Sequence, residues 1–432
     1  MAWQLRGVSL LLLAAGCASS QGVGQAPAER KPPPAPPPGC LAVLPTHSLQ
    51  ALLAAAQPGD AFCLSKGTWT GNFEVPPGVV LWGTPESVLK TPGVGTTVLL
   101  RSDSVLQNLT VQGSGGRQDV LDAAVKLQGS HIRVEGIAVR DSLFGILAER
   151  SSRILIRDSH VKGTGGEALG MRGDGIHLWE TTDSRVEGNR VENARDCVVW
   201  YSKNNDLVGN EVRDGRYGVH LMYSHNNRVM QNRFVRNEVG LFVMYSRNIH
   251  VEGNQLLASQ GGAGMGLGIK ESGNLTVRSN LLAHNTQGIF LDNSPLQPSD
   301  FNLFEDNTIQ LSDLALGILS LKPQNTFRRN AFRDNRVGVR VEGGGDALAI
   351  AWVENAWSDY AGYDLDGDGF GDLPYEPKDL ASSLTATHPQ LSFFVGTPVM
   401  SFIALAGEVA PLFAPKPVLL DKRPWLGGPR AH

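Results

Sequence analysis

GDGIHLWETTDSRVEGNRV (173–191), DCVVWYSKNNDLVGNEV (196–212), YGVHLMYSHNNRVMQNRF (217–234) and VGLFVMYSRNIHVEGNQL (239–256) are one pattern written four times. The asparagines that close the copies are Asn189, Asn210, Asn232 and Asn254, spaced 21, 22 and 22 residues apart. Short β-rich runs closed by Asn and Gly at such a period are the mark of a solenoid. Helical repeats would show a 3.6-residue pattern, which is missing. Three short strands and three corners need about 22 residues per coil, so an all-β parallel β-helix is expected. Weaker copies precede the block (VLQNLTV, HIRVEGIAV, RILIRDSHV), with Leu109, Ile137 and Ser159 in the asparagine position. Asn280, Asn307 and Asn330 continue it. The count is roughly ten to twelve coils over residues 60–345.

At 432 residues a globular reading would require several cores, whereas each coil of a solenoid packs only on its neighbours. The 50 glycines suit many tight corners. A net charge of −4 without a basic run argues against a nucleic-acid partner. No GxxxxGK[ST] is present, so the chain has no P-loop for nucleotide hydrolysis.

Five regions are expected. Residues 1–17 read as a lipoprotein-type signal, with Arg6 before an apolar run that ends Leu13-Ala14-Ala15-Gly16-Cys17. That ending resembles a lipobox, which implies cleavage before Cys17, lipidation of its thiol and a membrane-anchored periplasmic protein. A plain cleaved signal is the alternative. Residues 18–39 read as a Pro-rich tether. The β-helix is assigned to 40–350, a loop region with an Asp-rich motif to 351–390, and an apolar docking segment with a loose basic tail to 391–432. Ser48 is the expected N-cap of a short helix through Ala56, and this start resembles the helical cap of right-handed β-helices. Cys40 and Cys63 flank that segment and are a candidate disulfide in an oxidising periplasm; Cys197 reads as a buried core thiol.

Strand side chains alternate between faces. Aligned at Gly175, Cys197, Gly218, Gly240 and Gly266, two columns are apolar: Ile176, Val198, Val219, Leu241, Leu267, and Leu178, Trp200, Leu221, Val243, Ile269. These are expected to face the core. The intervening columns, expected outside, hold His177, Val199, His220, Phe242, then Trp179, Tyr201, Met222, Met244. An outward column is ordinarily polar. Thioether and imidazole together suit a soft cation, Cu(I) above all, and suit hard cations poorly. Met222, Met244 and His220 are therefore the first candidate copper ligands, with His177, His225 and Met265 next. Partner docking without metal, and a patch covered by another segment, remain open.

RGDGIHLW, RYGVHLMYS, GLFVMYS, WSDYAGYDLDGDGFGDLPY and FFVGTPVMSFIALAGEVAPLF, in this order, resemble the NosD family across roughly residues 40–425. NosD proteins process copper in the periplasm during maturation of nitrous-oxide reductase. The resemblance implies a right-handed β-helix and a non-enzymatic role beside an ABC transporter whose membrane and ATPase subunits are separate chains. It also implies a copper-chaperone lipoprotein as donor and apo nitrous-oxide reductase as recipient. The lipobox departs from the ordinary export signal usual in that family.

Two further features stand apart. Asp364, Asp366, Asp368, the Phe370 carbonyl and Asp372 fall at positions 1, 3, 5, 7 and 9 of a calcium loop, with Gly369 at position 6. Tyr375 replaces the closing Glu, so the motif is no EF-hand; a structural Ca²⁺ site or a solvated acidic turn are the two readings. Leu391 to Pro415 is apolar but broken by Gly396, Pro398, Gly407 and Pro411, which points to short helices on a membrane subunit or interface, or to a lid over the last coil. The competing function is a carbohydrate-active enzyme on acidic polysaccharide, for which Asp174, Glu180, Arg195 and Asp196 are the available groups.

Overall fold

The structure is a computed structural model. It describes residues 35–426, except 167, 344, 379–383, 385–387, 395–396 and 410–416. Cys17 and the signal segment therefore lie outside the described residues.

The chain forms a right-handed parallel β-helix of about 14 turns. Three walls of fourteen, twelve and thirteen strands run its length, and every pairing between their strands is parallel. Each complete coil gives one strand to each wall, and the terminal coils are incomplete. The strands continue to Ala351–Val353 and Ala356–Trp357, beyond the boundary expected at 350. Strands of two to six residues suffice, because all but the terminal ones are paired on both sides and only the inward residues must be apolar. Those inward columns form one continuous core of fully buried Val, Leu, Ile and Phe.

The corners carry the regularity. Asn189, Asn210, Asn232, Asn254, Asn280, Asn307, Asn330 and Asn355 form a buried ladder in which each Oδ1 accepts from the backbone N–H of the rung before it, at 2.9–3.0 Å. Each Nδ2 donates to a strand carbonyl, so the inner corner leaves no stranded amide. A serine ladder, Ser202–Ser224–Ser246–Ser272–Ser294, performs the same task at another corner.

Both ends are closed. The helix Leu49–Ala55, N-capped by the Ser48 hydroxyl, buries Leu49 and Leu53 on the first coil. Cys40 is bonded to Cys63, with their Cα atoms 5.7 Å apart. At the other end Trp357 stacks on Tyr375 at 4.6 Å, and residues 417–426 return across the last coil. Asp421 is the terminal rung: its Oδ2 accepts from Asn355 N, Asn355 Nδ2 and Trp357 Nε1. A carboxylate only accepts, so it ends a ladder whose last asparagine needs acceptors. The expectation of a loose basic tail is thus corrected for residues 421–426. The lid over the last coil comes from Tyr375 and this returning segment, while the helix Pro398–Val409 leaves Val399, Phe402 and Leu405 exposed.

Candidate functional site

The twelve-stranded wall carries the candidate residues on its outer face. One outer column runs Leu147, His177, Val198, His220, Phe242, Gly268. The next runs Glu149, Trp179, Trp200, Met222, Met244, Lys270. Met222 and Met244 are therefore neighbours on successive coils, on the outside.

The strand Asp196–Trp200 corrects the expected faces. Val198 and Trp200 were expected inside, and Val199 and Tyr201 outside. The structure pairs Val199 with Leu178 and Leu221, inside, and Trp200 with Trp179 and Met222, outside. Cys197 and Val199 belong to the core, and the Cys197 thiol is pushed up to about 12 by burial. The cause is a register shift. Asp196 pairs with Tyr217 but Val198 pairs with His220, so the strand Tyr217–Met222 contains one extra residue, a β-bulge. Aligning the copies on Gly218 hides that residue. The bulge leaves Tyr217 on the outer face, its ring 4.8 Å from His220. Tyr201 turns the corner with φ 50, as do Tyr223 and Tyr245 with φ 50 and 49. The three rings stack at 5.3 and 4.8 Å, which offsets part of the cost of that backbone region.

Within this wall His220 Nε2 lies 3.2 Å from Met244 Sδ, and His220 Nδ1 accepts from Trp200 Nε1 at 3.3 Å. Phe242 stacks on the same imidazole, with centroids 5.8 Å apart. Burial, reinforced by the Arg216 charge, lowers His220 to about 4, so the ring is neutral at physiological pH. A neutral imidazole and a thioether converging on one point, with a second thioether in register, is a donor set that fits Cu(I). His177, one coil pair away, is only 3% exposed. Its Nδ1 donates to Asp174 Oδ2 at 2.9 Å, while Nε2 is buried with no hydrogen-bond partner among the described residues. Asp174 in turn accepts from Arg195 at 2.9 Å, and Asp196 from Arg216 at 3.0 Å. These ion pairs fix the edge of the wall from which His177 projects. Burial raises the Asp196 carboxyl against the opposing pull of Arg216.

Of the second-choice residues, His177 shares the outer column with His220, whereas His225 and Met265 separate from this cluster. His225 is exposed in the turn beyond the strand, its Nδ1 accepting from Arg247 N. Met265 lies in the column of Tyr217 and Val239, at the opposite edge from Met222 and Met244. Trp200 and Tyr217 were not singled out as site residues from sequence, and Asp174 was named only for carbohydrate chemistry, not as the partner of His177. The one signal for Trp200 was the 21-residue interval from Asn189 to Asn210, which marks a coil one residue short.

In the Asp-rich loop, Asp364, Asp366 and Asp368 each offer an oxygen within 4.8 Å of the others. Asp364 already accepts from Gly367 N and Gly369 N, and Asp368 is paired with Arg423 at 2.6 Å. The Asp372 carboxylate accepts from Leu365 N, and the Phe370 ring lies under Arg423 at 3.9 Å. Of the carbohydrate-chemistry candidates, Asp174 and Asp196 are buried in ion pairs and Glu180 is paired with Arg150.

A parallel β-helix bearing soft donors on one outer wall is the class that fold and site define. The chain belongs to the NosD family. The family model described as "Periplasmic copper-binding protein (NosD)" matches residues 164–362, the stretch that contains the part of the wall from His177 to Met244. The chain is 30% identical over 387 residues to a "Probable ABC transporter binding protein NosD" of Stutzerimonas stutzeri, covering 84% of this chain and 85% of that protein. It is 27% identical over 409 residues to a protein of the same description from Pseudomonas aeruginosa, covering 91% and 94%. Among solved structures it resembles the catalytic unit of a GH87 α-1,3-glucanase from Streptomyces thermodiastaticus, with TM-score 0.56 and 13% identity over 77% of this chain and 71% of that one. Another GH87 catalytic domain, in complex with nigerose, gives TM-score 0.51 and 12% identity over 74% and 69%. At such identities the likeness concerns the fold alone.

Proposed function

We propose that this protein is a non-enzymatic periplasmic accessory protein that accepts Cu(I) on the outer wall and passes it on during maturation of nitrous-oxide reductase. The observation that carries this reading is the convergence of His220 Nε2 and Met244 Sδ at 3.2 Å, with Met222 in register beside Met244. Copper is cargo here, so a site of few soft donors on an outer wall under aromatic cover, rather than a closed tetrahedral cage, fits acceptance and release. The stacked tyrosines and Trp179 at its margin offer aromatic area for the proteins that deliver and receive the ion. The proposed partners are a copper-chaperone lipoprotein as donor, apo nitrous-oxide reductase as recipient, and an ABC transporter with separate membrane and ATPase subunits. The carboxylates that polysaccharide chemistry would need are held in ion pairs along the wall, which supports a non-catalytic role. Replacing Met222 and Met244 together by Ala is expected to weaken Cu(I) binding at least tenfold in competition with a chelator. Unchanged affinity would remove the wall from copper handling.

Three subsidiary roles belong to the same proposal. The exposed Phe393, Phe402 and Leu405 of the C-terminal segment dock on the transporter's membrane subunit; no helix among the described residues is long and apolar enough to cross a membrane. Cys17 carries a lipid that anchors the chain, a role tested by loss of Cys17→Ser protein from the membrane fraction. Asp364, Asp366 and Asp368, with Phe370 and Asp372, hold a structural Ca²⁺ that staples the end of the solenoid. Added Ca²⁺ should raise the Tm of the natural chain and not of Asp366→Asn; equal responses would discard the site.

A further inference from the structure

The two histidines of the wall share a column but not a proton arrangement. Trp200 lies between them, its ring centroid 5.7 Å from His177 and 5.6 Å from His220. A carboxylate accepts, so the 2.9 Å contact with Asp174 places a ring proton of His177 on Nδ1, and in the neutral tautomer the lone pair is then on Nε2. That lone pair is buried and meets no partner among the described residues. An indole N–H only donates, so the contact from Trp200 Nε1 places the lone pair of His220 on Nδ1. The His220 proton then sits on Nε2, directed at Met244 Sδ. Neutral imidazole takes a metal through its lone-pair nitrogen, and a carboxylate on the other nitrogen is the usual support for that state. His177 Nε2 is therefore a buried nitrogen with no hydrogen-bond partner among the described residues, whereas the His220–Met244 pair is closed by a proton on the nitrogen that faces the sulfur.

We propose that Trp200 is a positioning residue that makes the wall fill in order, His177 first and the His220–Met244 pair second. The proposal rests on the copper reading above. The Trp179 and Trp200 rings flank the His177 ring, with centroids 6.1 and 5.7 Å away, and indole rings attract cations. Drawing the Trp200 ring toward a Cu(I) ion on His177 Nε2 takes its N–H away from His220. Nδ1 of His220 is then free to take a proton from water while Nε2 gives its proton to water and binds Cu(I) together with Met244 Sδ. One proton is gained and one lost, and the metal keeps its oxidation state. Two hydrogen bonds are given up, the one from the indole and the one from His220 Nε2 to Met244 Sδ, and the bonds from Cu(I) to both of those atoms replace the second.

Long-range ¹H–¹⁵N spectra of the imidazole rings in the metal-free protein test the starting state. His177 should be protonated on Nδ1 and His220 on Nε2. In an anaerobic Cu(I) titration the first equivalent should shift His177 and the second His220. In Trp200→Phe the His220 ring should populate both tautomers, the order should disappear, and affinity at the His220 site should rise about fivefold for the lost hydrogen bond. Should that variant misfold, the tautomers and filling order of the natural chain still decide. His220 protonated on Nδ1 in the metal-free protein overturns the proposal, as does simultaneous response of both rings. If neither ring responds to Cu(I), the copper reading itself falls as well.

Discussion

At the scale of single residues, the distinction that matters is between His220 and an ordinary surface histidine. Burial and the Arg216 charge hold His220 at about 4, well below the unfolded value near 6.5. Between those values the unfolded chain binds a proton that the folded chain does not. Stability linked to this group is therefore full above about pH 6.5 and lost as pH falls toward 4. NMR titration should give His220 a midpoint near 4; a midpoint near 6.5 would show the ring to be solvated and the wall open. The soft donors were legible in sequence because Met and His are out of place on an outward column. Trp200 was not, since a single extra residue between Tyr217 and His220 offsets that copy from the one before it, and columns aligned on the glycines then assign Trp200 to the wrong face. Asp174 was missed in its role toward His177 because contact across a turn is a matter of direction, which periodicity does not encode.

Among elements, the asparagine ladder is the clearest case of sequence dictating structure. Its spacing told the coil length, the corner position and the stacking direction. Asn232 accepts from Asn210 N and Nδ2, and donates to Leu207 O and Asn254 Oδ1. Asn232→Ala strands buried groups on both neighbouring coils and should cost roughly 3 kcal/mol or more in unfolding free energy. Arg228→Ala, which removes only an ion pair with Asp206 at the surface, should cost no more than about 1 kcal/mol. Urea unfolding of the two variants distinguishes them; equal losses would mean that the ladder is ornamental. The count of coils fell short because the first turns lack the asparagine signature and the last rung, Asn355, is closed by Asp421 only when the chain returns from far along the sequence.

For the whole molecule, a solenoid needs caps more than it needs a second domain. The N-terminal helix was legible from Ser48 and its leucines, since cap and apolar face are local signals. The C-terminal closure was not, because Tyr375 and the segment around Asp421 meet across a bridge 46 residues long in sequence (421 − 375). What that closure leaves uncovered is the apolar side of residues 393–405, where Phe393 is 87% and Phe402 71% exposed. Phe393→Glu with Phe402→Glu should abolish co-purification with the transporter's membrane subunit and leave the unfolding midpoint of the β-helix unchanged. Retained co-purification would place the docking surface elsewhere.

The most direct measurement is copper K-edge X-ray absorption on the Cu(I)-loaded protein, compared with the Met222→Ala, Met244→Ala double variant. A first shell of mixed sulfur and nitrogen that loses its sulfur component in the variant is the predicted result. A spectrum identical in both proteins would place the ion somewhere other than the outer wall and contradict the account.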